Sequence, residues 1–425
     1  MTGLKRTLTL SDAVFSGMGI ILGAGIYALI GSATGLTGNS VWLSFLLAAV
    51  LASLTGLSYA ELSTMFSKSA AEYSYVKNAF GSNLLGFLVG WLELIADIIA
   101  ISTVALAFGG YFSSLVGISS IIVAIGLIIV VSSVNFLGVK KSSRINVIFT
   151  ILEVLGLLVV IIIGLKYLGN VNYFELSNGV SGLFQAVSIV FFAYLGFEEI
   201  ANIGEEVKNP KKNLPRAIII SVILSTLIYV LVGLSVVSIV PWNTLAESVA
   251  PLSYVTSQVL GDTGLIMMSF IALFATSNTV LVFLMVGSRM IYGMSQGKSL
   301  PRFFSRVHSR TKTPHIAIFT TMVFSILFVL VGNLLTVASL VDFIVFVIFV
   351  FVNLSLIILR FKKPDLERTF KVPLNIGKIP LISVLGVIFS FFMLFHFKLQ
   401  VFLVVIFISL VGYVLYKIGE RIWVK

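Results

Sequence analysis

Runs of about 20 apolar residues recur along almost the whole chain, and that is the length of helix needed to cross a ~30 Å hydrocarbon layer. Twelve such runs can be read, from 12–36 at one end to 399–417 at the other. They leave no stretch for a sizeable soluble domain. Mean hydropathy is +1.11 and only 11% of residues are charged, so the chain needs lipid as its solvent. Backbone groups in lipid must be paired within the segment, which makes these runs helices of a multi-pass membrane protein. The first run follows Lys5 and Arg6, but it is too long for a signal peptide and lacks a small-residue exit, so it is expected to remain as a span.

The formal net charge of +11 would suit a nucleic-acid binder, but the positions of the charges argue otherwise. If both termini are cytoplasmic, all of the 28 Lys and Arg residues except Lys166 and Lys398 fall on the cytoplasmic side. This is the positive-inside bias of a correctly oriented membrane protein, and it assigns no nucleic-acid partner. The expected location is the cytoplasmic membrane. Cysteine is absent, which removes disulfides and thiolate metal sites.

Two runs are interrupted. The first reads Ser16-Gly17-Met18-Gly19-Ile20-Ile21-Leu22-Gly23-Ala24-Gly25-Ile26-Tyr27, with four glycines at mid-membrane depth. Glycine weakens a helix interior and permits close backbone approach, so an unwound stretch is possible where it lines a protein-enclosed cavity. Gly19 and Gly23 also form a small-xxx-small pair that could seat a neighbouring helix. The sixth run carries Phe191-Phe192-Ala193-Tyr194-Leu195-Gly196-Phe197 followed by Glu198 and Glu199. Interruptions at matching places of two halves point to an inverted repeat with a midplane site. Broken helices expose amides at one half-helix end and carbonyls at the other, so one site can hold a carboxylate and an ammonium. A zwitterionic amino acid has that chemistry.

At these residues the chain resembles the amino acid–polyamine–organocation (APC) transporter family, and the likeness covers almost its whole length. Gly19 to Ile26 is similar to the family's unwound first span. Phe192 to Phe197, followed by Glu205-Glu206-Val207-Lys208-Asn209-Pro210 and Leu214-Pro215, is similar to its sixth span and exit loop. Further matches are Ala79-Phe80-Gly81, Gly90-Trp91, Ser288-Arg289, Tyr292-Gly293-Met294, Leu300-Pro301-Arg302-Phe303-Phe304 and Lys312-Thr313-Pro314. The resemblance implies twelve helices in a 5+5 inverted repeat with helices 1 and 6 broken. Residues 1–11 would form a cytoplasmic N-terminus, 12–177 the first repeat, 178–363 the second, and 364–425 two further helices and the cytoplasmic C-terminus. It also implies secondary active transport by alternating access. The substrate carboxylate would meet amides around Gly23, Ala24, Gly25 and Ile26. The amine would meet carbonyls near Ile21, Phe192, Ala193 and Leu195, while Tyr194 and Gly196 complete the segment and Phe197 gates it.

Carboxylates inside a membrane are costly, by ~2.5–3.5 kcal/mol each on insertion scales, and usually face a cavity, a partner or an ion path. Glu93 and Asp97 share a helix face at i,i+4 spacing, Glu153 lies mid-span, and Glu198 and Glu199 follow the second break. Several proton-coupled relatives carry a lysine where this chain has Glu153. A desolvated carboxyl can take up and release a proton near neutral pH, so Glu153 is expected to serve in ion coupling, for a proton or for sodium. That role requires it to lie near the first break and near Ser277 and Asn278 of the polar run Thr276-Ser277-Asn278-Thr279. A cavity lined by Asp97 and Glu198 would favour a cationic amino acid, although the family position for such an acid aligns with Ala96. Ala70-Ala71 replaces the two glycines usual in the family.

Rival classes predict other features. A channel would need a continuous polar lining, whereas polarity here is concentrated at the breaks. An enzyme would need a nucleophile motif or a metal centre, yet only His308, His315 and His396 occur, without ligand spacing. No cofactor and no metal are therefore expected. A polyamine transporter, an exchanger or a non-transporting amino acid sensor on the same fold would share every feature above.

Overall fold

The computed structural model describes residues 4–248, 250–330 and 334–422. The extreme termini and the end of the predicted run 314–333 lie outside the described residues. The chain is nearly all helix. The helices are α1 (Leu10–Ile21), α2 (Ala24–Thr37), α3 (Val41–Met65), α4 (Ala71–Phe80), α5 (Asn83–Val116), α6 (Ser120–Phe136), α7 (Val139–Gly164) and α8 (Gly179–Phe191). They continue with α9 (Glu199–Asn202), α10 (Pro210–Ile239), α11 (Trp242–Glu247), α12 (Pro251–Gln296), α13 (His315–Val329), α14 (Leu334–Lys362), α15 (Leu381–Leu394) and α16 (Leu399–Ile422). A two-residue hairpin pairs Asn375–Ile376 with Ile379–Pro380.

Among the described residues, eight helical stretches are long and apolar enough to cross a membrane, the first taking in α1 to α3. The shorter apolar helices α6, α13 and α15 pack against α5 and α14. Both interruptions are present. The first run stops at Ile21 and restarts at Ala24, and the sixth passes from α8 through a tight turn at Phe192–Tyr194 to α9. Helix starts follow local chemistry. Thr9 caps α1, its hydroxyl accepting from the Asp12 amide at 3.3 Å while its own amide donates to Asp12 Oδ2 at 2.8 Å. Pro210 and Pro251 open α10 and α12, where a missing N–H costs nothing. Ala70 enters α4 at φ 57°, a left-handed conformation that costs a residue with a Cβ ~1–2 kcal/mol, so the departure from glycine here is felt in the backbone.

The paired charges lie at the ends of the buried helices. Glu206, just after α9, receives two hydrogen bonds from the Arg289 guanidinium on α12, at 2.9 and 3.0 Å, and both side chains are buried. The N-terminal segment binds the same point. Thr7 and Leu8 donate their amides to the Glu206 carbonyl at 2.8 and 3.0 Å, and the Lys208 amide donates to the Leu8 carbonyl at 2.8 Å. Glu61 on α3 is held in the same way by Arg360 on α14 at 2.7 and 2.5 Å and by Arg368 at 3.2 Å. Removing one partner of such a pair leaves a buried charge uncompensated. Arg289→Ala is expected to destabilise the protein by ~3–5 kcal/mol, against less than ~1 kcal/mol for breaking the exposed Lys211–Glu367 pair with Lys211→Ala, as measured by unfolding in detergent.

Candidate functional site

The two interrupted stretches lie against each other, and glycine makes that contact possible. A Cβ on Gly25 would come within 2.6 Å of the Ala193 Cα, and one on Gly196, whose φ is 124°, within 2.5 Å of Ile20. At Gly23 a Cβ would be 1.9 Å from the Thr279 hydroxyl, and at Gly19 it would be 2.5 Å from Asn278 and Thr150. Gly19 and Gly23 therefore seat neighbouring helices as well as allowing the break.

Several of the freed backbone groups have partners, some on other helices and some within the interrupted segments themselves. The Ala24 amide donates to Thr279 Oγ1 of α12 at 3.2 Å. Gly25 and Ile26 follow in the first turn of α2, where amides have no helical carbonyl behind them. Tyr229 of α10 directs its hydroxyl at the Ile21 carbonyl and, at 3.0 Å, at the Ala193 carbonyl. The Phe192 carbonyl accepts from the Leu195 amide at 3.2 Å, which closes the turn. Glu198 caps the second break, its Oε2 accepting from the Gly196 amide at 3.0 Å. Ile21, Gly23 to Ile26, and Ala193 to Phe197 are all buried, and Phe192 is half-buried.

Aromatic rings close one flank. Phe197 packs on Tyr59 and Phe349 with ring centroids 6.0 and 5.6 Å away, and Tyr194 meets Tyr229 edge-on at 5.2 Å. On another flank lies a chain of side-chain hydrogen bonds. Asn278 Nδ2 donates to Glu153 Oε1 at 2.9 Å and to Thr150 Oγ1 at 3.0 Å. Thr150 donates to Asn146 Oδ1 at 3.0 Å, and Asn146 donates to Ser16 of α1 at 3.3 Å. Glu153 is fully buried, its Oε2 has no hydrogen-bond partner, and Tyr27 of α2 donates to its backbone carbonyl at 3.3 Å. Glu153, Asn278 and the first break thus form one connected neighbourhood. Ser277 points elsewhere, donating to the Leu273 carbonyl of its own helix at 2.7 Å.

Asp97 lies beside the residues that follow the second break. It meets Gly287 of α12, where a Cβ would lie 3.3 Å from Asp97 Oδ2, and it gathers with Glu93 and Glu199. Sequence reasoning missed Thr279 and Tyr229 as partners of the breaks. Thr279 stood within the polar run that was singled out. Tyr229 carried a weaker signal, a lone phenol within an apolar span that needs a partner when buried.

The bundle is thus a multi-pass membrane protein whose two interrupted helices meet backbone to backbone. An amino acid permease family model matches residues 8–421, and the chain belongs to that family. It is 30% identical to the branched-chain amino acid permease BcaP of Bacillus subtilis, over 97% of this chain and 93% of that protein. It is 31% identical to the methylthioribose transporter of Bacillus subtilis, over 89% and 86% of the two chains. The cationic amino acid transporter 3, mitochondrial, of Arabidopsis thaliana is 31% identical over 86% of this chain and 64% of its own length.

The contact between the breaks makes a sharp steric prediction. Gly25→Ala drives a methyl into the Ala193 backbone and is expected to cost ~1–3 kcal/mol and to abolish ligand-dependent stabilisation. Gly126→Ala, where nothing lies within 4 Å of the added methyl, is expected to leave both unchanged or to raise stability slightly. Thermal unfolding in detergent with and without amino acids distinguishes the two.

Proposed function

We propose that this protein is a secondary active transporter that carries an amino acid across the cytoplasmic membrane by alternating access, with both termini cytoplasmic. The observation that carries this reading is the direct apposition of the two broken helices, Gly25 on Ala193, which brings a helix N-terminus and freed carbonyls to one enclosed place. In this reading the chain has twelve spans, and residues 12–177 and 178–363 form the two halves of an inverted repeat. The substrate carboxylate binds the amides of Gly25 and Ile26, since Thr279 holds that of Ala24. Its ammonium takes the place marked by the Tyr229 hydroxyl, between the carbonyls of Ile21 and Ala193. A carbonyl has two lone pairs, so Tyr229 can share these acceptors or give way.

The flank beside Phe197 is built from the rings of Tyr59, Phe349 and Phe191. This supports a neutral, apolar substrate side chain over a cationic one. The names of the Bacillus subtilis relatives agree with a small, largely neutral solute. Glu153 is the coupling group. It is buried within reach of both the first break and α12 through Asn278, and one of its oxygens is open to a proton.

Reconstitution in liposomes tests the reading directly. Under an inward proton gradient, accumulation of radiolabelled leucine, isoleucine or valine is expected to exceed that of arginine or putrescine at least severalfold. No uptake of any of these, with either a proton or a sodium gradient, would sink the proposal. Glu153→Gln is expected to abolish gradient-driven accumulation while leaving counterflow exchange, and an unchanged proton dependence would reject its coupling role.

A further inference from the structure

Glu93 and Asp97 of α5 and Glu199 of α9 each bring a carboxylate oxygen to one place, all three oxygens within 4.8 Å of one another, and each residue is only 2% exposed. Among the described residues none of the three forms an ion pair, in contrast to Glu206 and Glu61. Two further side chains point to a ligand there. Glu72 of α4 is fully buried, neither of its oxygens has a hydrogen-bond partner, and it is close enough to Glu199 and Glu93 to act on both electrostatically. The Tyr59 hydroxyl is also fully buried and without a hydrogen-bond partner, and it is close enough to Glu72, Glu93 and Glu198 to interact with them electrostatically. Asn202 orients the set. Its Nδ2 donates to Glu199 Oε2 at 3.2 Å while its Oδ1 accepts from the Ala71 amide at 2.7 Å, fixing Glu199 beside the start of α4.

We propose that Glu93, Asp97 and Glu199, with Glu72 beside them, form a binding site for a hard divalent cation such as Ca²⁺. The donors are all oxygen, and among the described residues no basic side chain is paired to them, which selects against soft metals and favours a hard, doubly charged ion. Mg²⁺ demands near-octahedral order and dehydrates reluctantly, whereas Ca²⁺ accepts several carboxylates in irregular arrangements, so Ca²⁺ is the ion that suits a site built from clustered carboxyls. The cation ties α9, the short helix after the second break, to α4 and α5. It therefore sets the position of Glu198, whose carboxylate caps that break. Asn202 plays the outer-shell role of holding a ligating carboxylate in register.

The site is tested by binding and not by transport, so its failure is separate from failure of the transport reading. Purified protein is titrated with Tb³⁺, a Ca²⁺ analogue whose emission is sensitised by nearby aromatic rings such as Tyr59, and the bound ion is then competed with Ca²⁺. Saturable emission displaced by Ca²⁺ is expected. Loss of an outer-shell partner alone typically weakens a metal site about 10-fold or more, so Asp97→Asn and Glu199→Gln, checked for monodispersity, should each weaken binding by at least that factor. Asp262→Asn, at an exposed acid, should leave it unchanged. Wild-type protein should also melt at a higher temperature in Ca²⁺ than in Na⁺ at equal ionic strength, a readout that needs no variant. Absence of saturable binding, equal affinity in the Asp97 and Glu199 variants, or a melting temperature that responds to pH or Na⁺ but not to Ca²⁺ would overturn the proposal.

Discussion

The structure depends on the contact between the two places where a membrane helix is interrupted. Each broken helix by itself would expose unpaired amides and carbonyls in a medium that offers them no water, at a cost of several kcal/mol per group. Here the breaks cover each other, and side chains from surrounding helices finish the pairing. Tyr229 reaches carbonyls of both breaks, Thr279 takes an amide of the first, and Glu198 takes an amide of the second. The requirement for glycine at 23, 25 and 196 follows from that closeness, because at each position a Cβ would overlap backbone or a fixed side chain.

The same interior handles its carboxylates in three ways, and the differences carry the functional argument. Glu206 and Glu61 are neutralised by arginines and tie distant segments together, so they read as structural fastenings. Glu153 is half-satisfied, with one oxygen bonded to Asn278 and the other free, inside a hydrogen-bond chain that begins on α1 and reaches α12. Glu72, Glu93, Asp97 and Glu199 gather without a basic partner among the described residues. Several buried carboxyls so close together are tolerated only where protons or a cation cancel their charge. Paired, half-satisfied and clustered acids thus occupy separate places in one membrane interior.

Much of this was legible from the chain alone. Run length and charge placement determine a multi-pass helical membrane protein, since lipid leaves the backbone no other way to pair its groups. The glycines of 17–25 and the interruption at 192–197 marked where two helices would break, because those residues weaken helix locally whatever surrounds them. The need for Glu153 to lie near Asn278 was readable as a condition, and Asn278 does donate to it. Ser277, one residue away, could not be separated from Asn278 without knowing the rotation of α12.

What the tertiary structure decided is which groups meet. Glu93 and Asp97 were visible as one face of a helix, but that this face meets Glu199 depends on how the bundle brings α5 and α9 together. Tyr229 and Thr279 reach the breaks from helices far along the chain, and no local pattern encodes such a meeting. Periodicity and composition act within a helix, so the sequence by itself determined the helices and their weak points. Hydrogen bonds and charge encounters act between helices, so only the assembled bundle decided the partners of each buried polar group.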